Sequence, residues 1–461
     1  MTNISLPQLD ERVLSTLNAD GSRRWLEPRV SQGRFWRRRL AVAVVLILLF
    51  TALPWIRING KPPVLLNVMA RQFTFFGSTF RPTETLLLAL LMLSIFVTIF
   101  LVTALFGRVW CGWACPQTVY LEFVYRPLER FILGRRGSTR RTRTPLWRRG
   151  ALYAVYLLLS AHLANTFLAY FVGTDQLMQW TVRSPSEHPA AFGIFAATTA
   201  LMLFDFVFFR EQLCTLVCPY GRMQSVLLDR DSLIVSYDAS RGEPRARRGG
   251  QPGSCVDCQI CTQVCPTGID IRDGLQLECI HCAQCIDACD AVMRQIRQPT
   301  GLIRYASQNA MARTKRRGIR PRVILYPMLL AAIVSALVVL LLGRVPVLLE
   351  QERIVGANFL TTADGLIQCP IRMLIENRSH EGSDFMLAGV GDVELVGGPR
   401  PVRVVQGTAI TVDVDVRSPD RGFVGGRRGG ALQIEASDGA HWQAPITLAG
   451  PFSLSPLGNA Q

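Results

Sequence analysis

The sequence has few charged residues, little histidine and almost no lysine for its length. Charged residues make up 18% of the 461 positions, 48 of the 50 basic residues are arginine, and histidine occurs five times. No C-x-x-C-H motif is present, which excludes covalently attached haem. No Walker A motif occurs, and no G-x-G-x-x-G follows a predicted strand. The sequence therefore gives no support for nicotinamide, flavin or nucleotide sites, and electrons would have to come from a partner or from quinol.

Apolar residues and positive charge are in excess. Hydrophobic residues make up 49% of the chain, the net charge is +16, and the mean hydropathy is +0.24. A hydrocarbon core of about 30 Å is crossed by about 20 helical residues. Five apolar segments are long enough, and we predict that each spans a membrane: Leu40 to Ile56, Thr85 to Phe106, Ala151 to Val172, Ala190 to Phe209 and Ile324 to Gly343.

The basic residues alternate between the sections that flank these spans. Lysine and arginine together number 8, 4, 10, 1 and 17 in the first five sections. Cytoplasmic loops carry the excess of basic residues, so the odd sections and the N-terminus are predicted to be cytoplasmic and the C-terminus periplasmic. The charge then records orientation in a bacterial inner membrane, and no nucleic-acid partner is expected.

Two cysteine repeats carry the strongest chemical signal. Twelve of the 13 cysteines lie in predicted cytoplasmic sections, where disulfides are rare. Eight follow the C-x2-C-x2-C-x3-C spacing of bacterial ferredoxins, in which the fourth cysteine of each run binds the other cluster. Zinc is the alternative, because paired C-x2-C motifs also build zinc sites. We predict two [4Fe-4S] clusters, the first held by Cys255, Cys258, Cys261 and Cys289 and the second by Cys279, Cys282, Cys285 and Cys265.

Two C-x3-C-P motifs follow the second and fourth spans. A gap of four predicts both sulfurs on one face of a helical turn that the proline ends or bends, and nearby Arg108, Arg210 and Arg222 are expected to keep the thiols ionised. Soft thiolates select Cu(I), zinc or an iron–sulfur centre, although cysteine also packs as a small apolar residue. The predicted four-thiolate site consists of Cys111, Cys115, Cys214 and Cys218.

Other polar residues leave their roles open. His162 and Asp205 lie in the third and fourth spans, where a quinol site, a proton site and a simple interhelical hydrogen bond are all compatible with the sequence. Beyond Phe359, short alternating apolar runs separated by turn residues predict a β-sandwich. Cys369, in that region, reads as a buried small residue or as a lone thiol.

The pattern divides the chain into five parts. Residues 1–39 form a cytoplasmic N-terminal segment, and 40–209 form a four-helix membrane part with a basic cytoplasmic loop at 107–150. Residues 210–323 form a cytoplasmic section that contains the ferredoxin domain at about 250–300. A fifth span at 324–343 precedes an outer domain at 344–461.

Several blocks of the sequence resemble a known family, the cytochrome c oxidase accessory proteins called CcoG, FixG or RdxA. The similarity extends over nearly the whole chain. Besides the double ferredoxin motif, the blocks that carry it are Pro54-Trp55, Asn59-Gly60, Gly107-Arg108-Val109-Trp110-Cys111-Gly112, Cys115-Pro116-Gln117-Thr118, Arg210-Glu211-Gln212, Cys218-Pro219-Tyr220-Gly221-Arg222 and Gly301-Leu302-Ile303-Arg304-Tyr305.

The resemblance implies a fold and a function. It implies an α-helical membrane protein with five transmembrane helices, a cytoplasmic two-cluster ferredoxin-like α+β insert and a periplasmic immunoglobulin-like β-sandwich. The implied activity is reduction of Cu(II) to Cu(I) during assembly of the cbb3-type oxidase, with copper bound by the four C-x3-C-P cysteines. The implied partners are the membrane, copper ions, a copper chaperone or oxidase assembly factors and an unknown electron donor, with a homodimer as an option.

Two other functions remain open at this point. The chain is also similar to NapH-type membrane ferredoxins, which share the C-x3-C-P motif, and such a subunit would oxidise quinol and supply electrons to a separate reductase. An assembly scaffold without catalysis, with structural or sensory clusters, is the third reading. Sensitivity to copper and reduction of the clusters by quinol distinguish the three.

Overall fold

The computed structural model describes most of the chain. Described residues are 15–18, 20–58, 61–68, 72–76, 78–80, 84–134, 144–245, 253–312, 321–352, 359–378, 383–405, 408–437 and 439–452. Asn59-Gly60, part of the basic loop at 135–143 and the side chain of Arg222 lie outside them. The chain divides into two compact units, one made of the described residues of 1–57, 62–71 and 83–338 and the other of those of 58–61, 72–82 and 339–461.

Helices account for most of the first unit. They are α1 (Arg34–Ala52), α2 (Thr85–Phe106), α3 (Val109–Trp113), α4 (Pro116–Tyr120), α5 (Arg126–Leu133), α6 (Leu146–Val172), α7 (Thr174–Val182), α8 (Pro189–Leu203), α9 (Pro219–Leu227), α10 (Ala239–Gly242), α11 (Ile260–Gln263), α12 (Gln284–Gln295), α13 (Gln308–Met311) and α14 (Pro321–Leu342), of which α14 ends in the second unit. Short 3-10 turns cover Leu53–Trp55 and Ile271–Asp273, and π-helical turns cover Leu121–Tyr125, Phe204–Phe209 and Leu213–Val217.

Among the described residues, five helices are long and apolar enough to cross a membrane: Arg34–Trp55, Thr85–Phe106, Leu146–Val172, Pro189–Phe209 and Pro321–Leu342. The second matches the predicted span from end to end, and the other four begin one to six residues before it. In three of these four helices the added residues include arginines. Their backbone hydrogen bonds extend the helix, because a helix need not end where the hydrocarbon begins. Only 6% of the last helix is buried within the protein, which leaves an apolar surface for lipid.

The ferredoxin motifs lie on loops and short elements, apart from the 12-residue helix α12, which carries Cys285 and Cys289. Strands β4 (Ile234–Tyr237) and β5 (Ile303–Ala306) pair antiparallel, so the fold around the motifs draws on residues outside 250–300. Its buried core combines apolar side chains of these strands and of α12 with the thiols of Cys255, Cys261 and Cys279. This small core holds both cysteine runs in place.

The N-terminus of α1 is attached to this region. The carboxylate of Asp287, in α12, accepts hydrogen bonds from the backbone N–H groups of Phe35 and Trp36, at 3.2 and 2.8 Å. A Cβ at Gly33 would collide with Asp287, so glycine allows the close approach. A negative charge at a helix N-terminus satisfies free N–H groups and favours the helix dipole.

The second unit is rich in β-structure. The remaining strands of the chain are β1 (Val64–Asn67), in the first unit, and β2 (Gln72–Phe75), β3 (Ser78–Phe80), β6 (Val347–Glu352), β7 (Leu360–Thr361), β8 (Leu366–Asn377), β9 (Ser383–Val390), β10 (Glu394–Leu395), β11 (Arg400–Val404), β12 (Ala409–Pro419), β13 (Arg427–Ala436) and β14 (His441–Ala449), in the second.

Two antiparallel sheets of this unit share one core. One sheet has the order β10-β12-β8-β6, with β7 also paired to β8, and the other has the order β11-β9-β13-β14. Burial alternates along β8, and its inward residues Ile367, Ile371, Met373 and Ile375 join the common core. Cys369 is buried in the same core, in agreement with its reading as a small packed residue. The immunoglobulin-like classification of this unit stays a prediction.

Candidate metal centre

The eight ferredoxin-motif cysteines line two cavities. Cys255, Cys258, Cys261 and Cys289 line one, and Cys265, Cys279, Cys282 and Cys285 line the other, which Cys261 also borders. These are the two sets expected when the fourth cysteine of each run crosses to the other cluster. The remaining walls are largely apolar, with Val235, Ile269 and Ile271 around the second cavity. Thiol donors in apolar surroundings fit an iron–sulfur cluster.

The two cysteine loops share a backbone feature. Asp257 and Gln259 in the first loop and His281 and Ala283 in the second are non-glycine residues at φ between 49° and 61°. The members of each pair flank Cys258 and Cys282, the equivalent second cysteines of the repeats. Such residues cost of order 1–3 kcal/mol each and persist only where the surroundings fix them. A backbone whose successive residues alternate between right-handed and left-handed conformations forms a concavity of N–H groups that binds anions, as at many iron–sulfur sites.

Burial dominates the electrostatics of these thiols. It raises the pKa of Cys261 to about 11 and those of Cys279 and Cys289 to about 12, and it raises the pKa of Cys285 well above its usual range. Thiols in this state are protonated at neutral pH. Binding of a metal centre therefore releases protons as the thiolates form.

The C-x3-C-P motifs do not lie on single helical turns. Cys111 is in α3, but Cys115 follows the end of α3 in extended conformation and is the N-cap of α4. Cys214 lies in the π-helical turn Leu213–Val217, and Cys218 is the extended N-cap of α9. The prediction of one helical turn for each motif was therefore wrong. The break expected at the proline is present, because Cys115 and Cys218 are extended and Pro116 and Pro219 begin the next helix, where the missing N–H is not needed.

The four thiols of these motifs influence one another's ionisation, although no three of these described thiols lie close enough together to hold a single metal ion. Burial raises the pKa of Cys111 to about 11, and nearby thiolates of Cys115 and Cys218 add to the shift. Burial likewise raises the pKa of Cys214, which all three others influence. Arg108 lowers the pKa of Cys111 but does not offset burial. The expectation that arginine favours the ionised thiol therefore agrees in direction with the effect of Arg108 on Cys111, but burial, which removes the site from water, has the larger effect.

Gln224 organises the site and was missed from the sequence. Its side-chain oxygen accepts hydrogen bonds from Nε of Arg108 at 2.8 Å and from the thiol of Cys111 at 3.3 Å. Arg108 also donates to the carbonyl of Gly221 at 2.9 Å. All three side chains are buried. The arginine thus joins the first C-x3-C-P segment to α9, and no local pattern marks a glutamine for this role.

The C-x3-C-P site adjoins the second cavity. Cys111 packs against Ile280 and Cys282 in one buried cluster. A Cβ at Gly112 would collide with the carbonyl oxygen of Ile280 and come within 3.0 Å of the Cys282 backbone. The backbone N–H of Arg108 donates to Nδ1 of His281 at 3.0 Å. Burial, reinforced by Arg108, lowers the pKa of His281 to about 3, so the imidazole is neutral and can accept.

A buried ion-pair network lies behind the site. Arg126 pairs with Glu122 and, at 3.1 Å, with Glu211. Glu122 also accepts from Gln284 at 3.0 Å. Arg210, which the sequence places near the thiols, pairs with Glu129 at 3.1 Å. Within the described part of the chain, no three or more His, Cys, Asp or Glu side chains lie close enough together to hold a single metal ion.

The polar residues of the spans have ordinary settings. Gln117 donates to the carboxylate of Asp205 at 3.1 Å, which is the interhelical hydrogen bond that the sequence left open. His162 is exposed on α6. The charge of Asp205 nevertheless acts on the C-x3-C-P site: burial is the main cause of the raised pKa of Cys115 and of Cys214, and Asp205 adds to both shifts.

Comparisons with known proteins identify related chains. Residues 209–308 match a family model described as a 4Fe-4S dicluster domain, and residues 88–137 match one described as a 4Fe-4S binding domain. The protein RdxA of Cereibacter sphaeroides is 34% identical over 86% of this chain and 87% of its own length, and its protein RdxB is 30% identical over 90% and 92%. The nitrogen fixation protein FixG of Rhizobium meliloti is 37% identical over 66% of this chain, and the match spans only 62% of FixG.

Proposed function

The chain belongs to the FixG/RdxA family of membrane iron–sulfur proteins, and from that membership we propose that it reduces Cu(II) to Cu(I) for assembly of the cbb3-type cytochrome c oxidase. Electron transfer through iron–sulfur centres is the family's common feature. Copper is the substrate, and the family resemblance suggested it.

We assign the cluster ligands to the two cavity sets. Cys255, Cys258, Cys261 and Cys289 would hold cluster one, and Cys265, Cys279, Cys282 and Cys285 would hold cluster two. A bound [4Fe-4S] cluster supplies single-electron transfer, and the conversion of Cu(II) to Cu(I) takes one electron. The protein's part is to fix the thiols, exclude water with apolar walls and release the thiol protons.

The four C-x3-C-P thiols are the proposed point of contact with copper. Soft thiolates favour Cu(I) over Cu(II), which helps to drive the reduction. Gln224 accepts from Cys111 and from Arg108, and so holds one thiol and one cation in fixed positions. Because burial keeps Cys111 and Cys214 protonated, copper binding would displace protons from them.

One observation supports the proposal most strongly, namely the packing of Cys111 against Cys282. A thiol of the proposed copper site and a ligand of the proposed cluster two thus share one small buried cluster with Ile280. Arg108 and Gly112 reinforce the contact through His281 and Ile280. A short, rigid path of this kind suits one-electron transfer between the two sites.

The test is Cu(II) reduction by purified protein whose clusters have been reduced and whose excess reductant has been removed. We expect serine in place of Cys111, Cys115, Cys214 or Cys218 to abolish most of the activity while iron content stays at the wild-type level. Cys369→Ser is the matched control, since it makes the same change in the core of the other unit and should leave activity unchanged. Unchanged activity in a variant with serine at all four positions would remove these thiols from the mechanism.

Iron content tests the assignment of the sites. Two [4Fe-4S] clusters require about eight iron atoms per chain. About twelve would indicate a third cluster on the C-x3-C-P thiols and contradict copper binding there. Reduction of the clusters by quinol with indifference to copper would favour a NapH-like subunit, and no turnover with any donor would favour a scaffold.

The proposal includes a location. The basic sections place the N-terminus and both cysteine sites on the cytoplasmic side of a bacterial inner membrane and the β-rich unit in the periplasm. An immunoglobulin-like sandwich there would offer a surface to oxidase assembly factors or to a copper chaperone. Copurification would identify the electron donor and would test whether the protein forms a homodimer.

A further inference from the structure

Arg39 is fully buried although it ends a run of three arginines at the start of the first span. Arg37 and Arg38 are exposed, whereas Arg39 is 0% exposed. Its Nε donates to the carbonyl of Gly112 at 2.7 Å, and its guanidinium lies 5.3 Å from the ring centroid of Phe123. The remaining two nitrogens, Nη1 and Nη2, have no hydrogen-bond partner among the described residues. A buried guanidinium with unpaired N–H groups lowers the stability of the folded protein unless an anion lies next to it.

Glu122 does not complete the hydrogen bonding of Arg39. One oxygen of Glu122 pairs with Arg126 and the other accepts from Gln284, so both are already engaged. Burial works against the charge of Glu122, but Arg126 and then Arg39 outweigh it and lower the pKa of this carboxyl. The charge of Arg39 thus acts on Glu122 without a hydrogen bond between them, and Nη1 and Nη2 of Arg39 are still available as donors.

Arg39 lies next to the backbone that borders the second cavity. Gly112, to which Arg39 is bonded, packs on the backbone of Ile280 and Cys282. We propose that Nη1 and Nη2 of Arg39 donate to sulfur atoms of cluster two and raise its reduction potential. Reduction adds one electron, and hence one negative charge, to an already negative cluster, so a neighbouring cation stabilises the reduced state more. Hydrogen bonds to cluster sulfurs act in the same direction.

The proposed effect is specific to cluster two. Arg39 approaches the second cavity through Gly112 and the backbone of Ile280 and Cys282. The arginine that lines the first cavity is Arg272, and its guanidinium is paired with Asp257 and Asp270. Arg39 is therefore a positioning residue for cluster two, supplied by a membrane helix.

The test is a redox titration of both clusters, followed by EPR, in wild-type protein, Arg39→Gln and Arg38→Gln. Arg38→Gln removes the same charge from the same helix at an exposed position. We expect Arg39→Gln to lower the one-electron reduction constant of cluster two at least tenfold, which is about 59 mV, while cluster one is unchanged. Arg38→Gln should leave both clusters unchanged. Cys282→Ser, which alters a ligand of cluster two, assigns its signal.

A cluster-two potential that is the same in all three proteins would overturn the proposal. If Arg39→Gln does not assemble, pulsed EPR on wild-type protein labelled with ¹⁵N-arginine decides. Nitrogen coupling at reduced cluster two that is lost in Arg39→Lys is expected, and its absence from the wild type contradicts the proposal. The inference rests on the proposed cluster-two ligands but not on copper, so failure of cupric reduction and failure of the Arg39 effect are separate results.

Discussion

At the residue scale, Gly112 is the position that joins the two cysteine sites most closely. Any Cβ there would meet backbone atoms of Ile280 and Cys282, which cannot move as a flexible side chain can. We expect Gly112→Ala to cost about 1–3 kcal/mol, as overpacking of a dense core does, and to slow copper reduction by separating Cys111 from Cys282. The measurements are the temperature at which cluster absorbance is lost and the rate of Cu(I) formation.

Gly150→Ala is the control for that variant. Gly150 is exposed in α6, and a Cβ there meets nothing within 4 Å. We expect a gain of roughly 0.5–1 kcal/mol from helix propensity and unchanged copper reduction. Equal behaviour of the two alanine variants would mean that contact at Gly112 is unimportant.

Spacing predicts ligands better than it predicts their surroundings. The eight ferredoxin-motif cysteines could be assigned to two sets because ligand spacing depends on the local chain, and the cavities are lined by the same sets. Arg39, Gln224 and Glu122 could not be selected, because a buried arginine and an exposed one look alike in sequence. The raised pKa of the Cys111 thiol could not be predicted for the same reason, since burial outweighs the charge of Arg108.

At the scale of secondary-structure elements, Asp287 fixes the start of α1. Its carboxylate accepts from two N–H groups that otherwise have no helical partner. We expect Asp287→Ala to destabilise the protein by about 0.5–2 kcal/mol, whereas Asp287→Asn, which retains an acceptor, should lose much less. Thermal loss of cluster absorbance measures both. Equal losses in the two variants would show that the charge of Asp287, and not its cap, is what matters.

The cysteine loops depend on their metal for structure. Helix α11 has four residues, too few to be stable alone, and three thiols belong to the surrounding core. We expect removal of iron by a chelator to increase amide exchange over residues 253–300, because metal binding supplies part of the folding free energy. The β-rich unit should retain its protection. Unchanged exchange at 253–300 after complete iron removal would contradict this account.

Element boundaries were predicted unevenly. The apolar runs identified five long helices, but four of those helices begin earlier. In three of them the added residues include arginines, which join a helix as readily as apolar residues do, and in the fourth the added residue is Pro189. The π-helical turns and the division of each C-x3-C-P motif between two elements were not predictable, since they depend on how the thiols pack together. The alternating apolar runs beyond Phe359, by contrast, were correctly predicted as strands, and they correspond to β8, β11, β12 and β13.

At the scale of the whole molecule, the distribution of arginine predicts orientation. Basic residues number 8, 10 and 17 in the sections assigned to the cytoplasm, against 4 and 1 in the intervening loops. We expect alkaline phosphatase fused after the β-rich unit to be active and the same enzyme fused within 107–150 to be inactive, because it folds only in the periplasm. The reverse pattern would invert the topology and place the cysteine sites outside.

The central proposal is that electrons pass from this protein to copper through the C-x3-C-P thiols. The most direct measurement is a single turnover in which cluster-reduced protein, free of other reductant, is mixed with Cu(II). We predict one Cu(I) formed for each cluster electron lost, at a rate that falls when Cys111 is replaced by serine. Clusters that stay reduced in the presence of Cu(II) would contradict the claim.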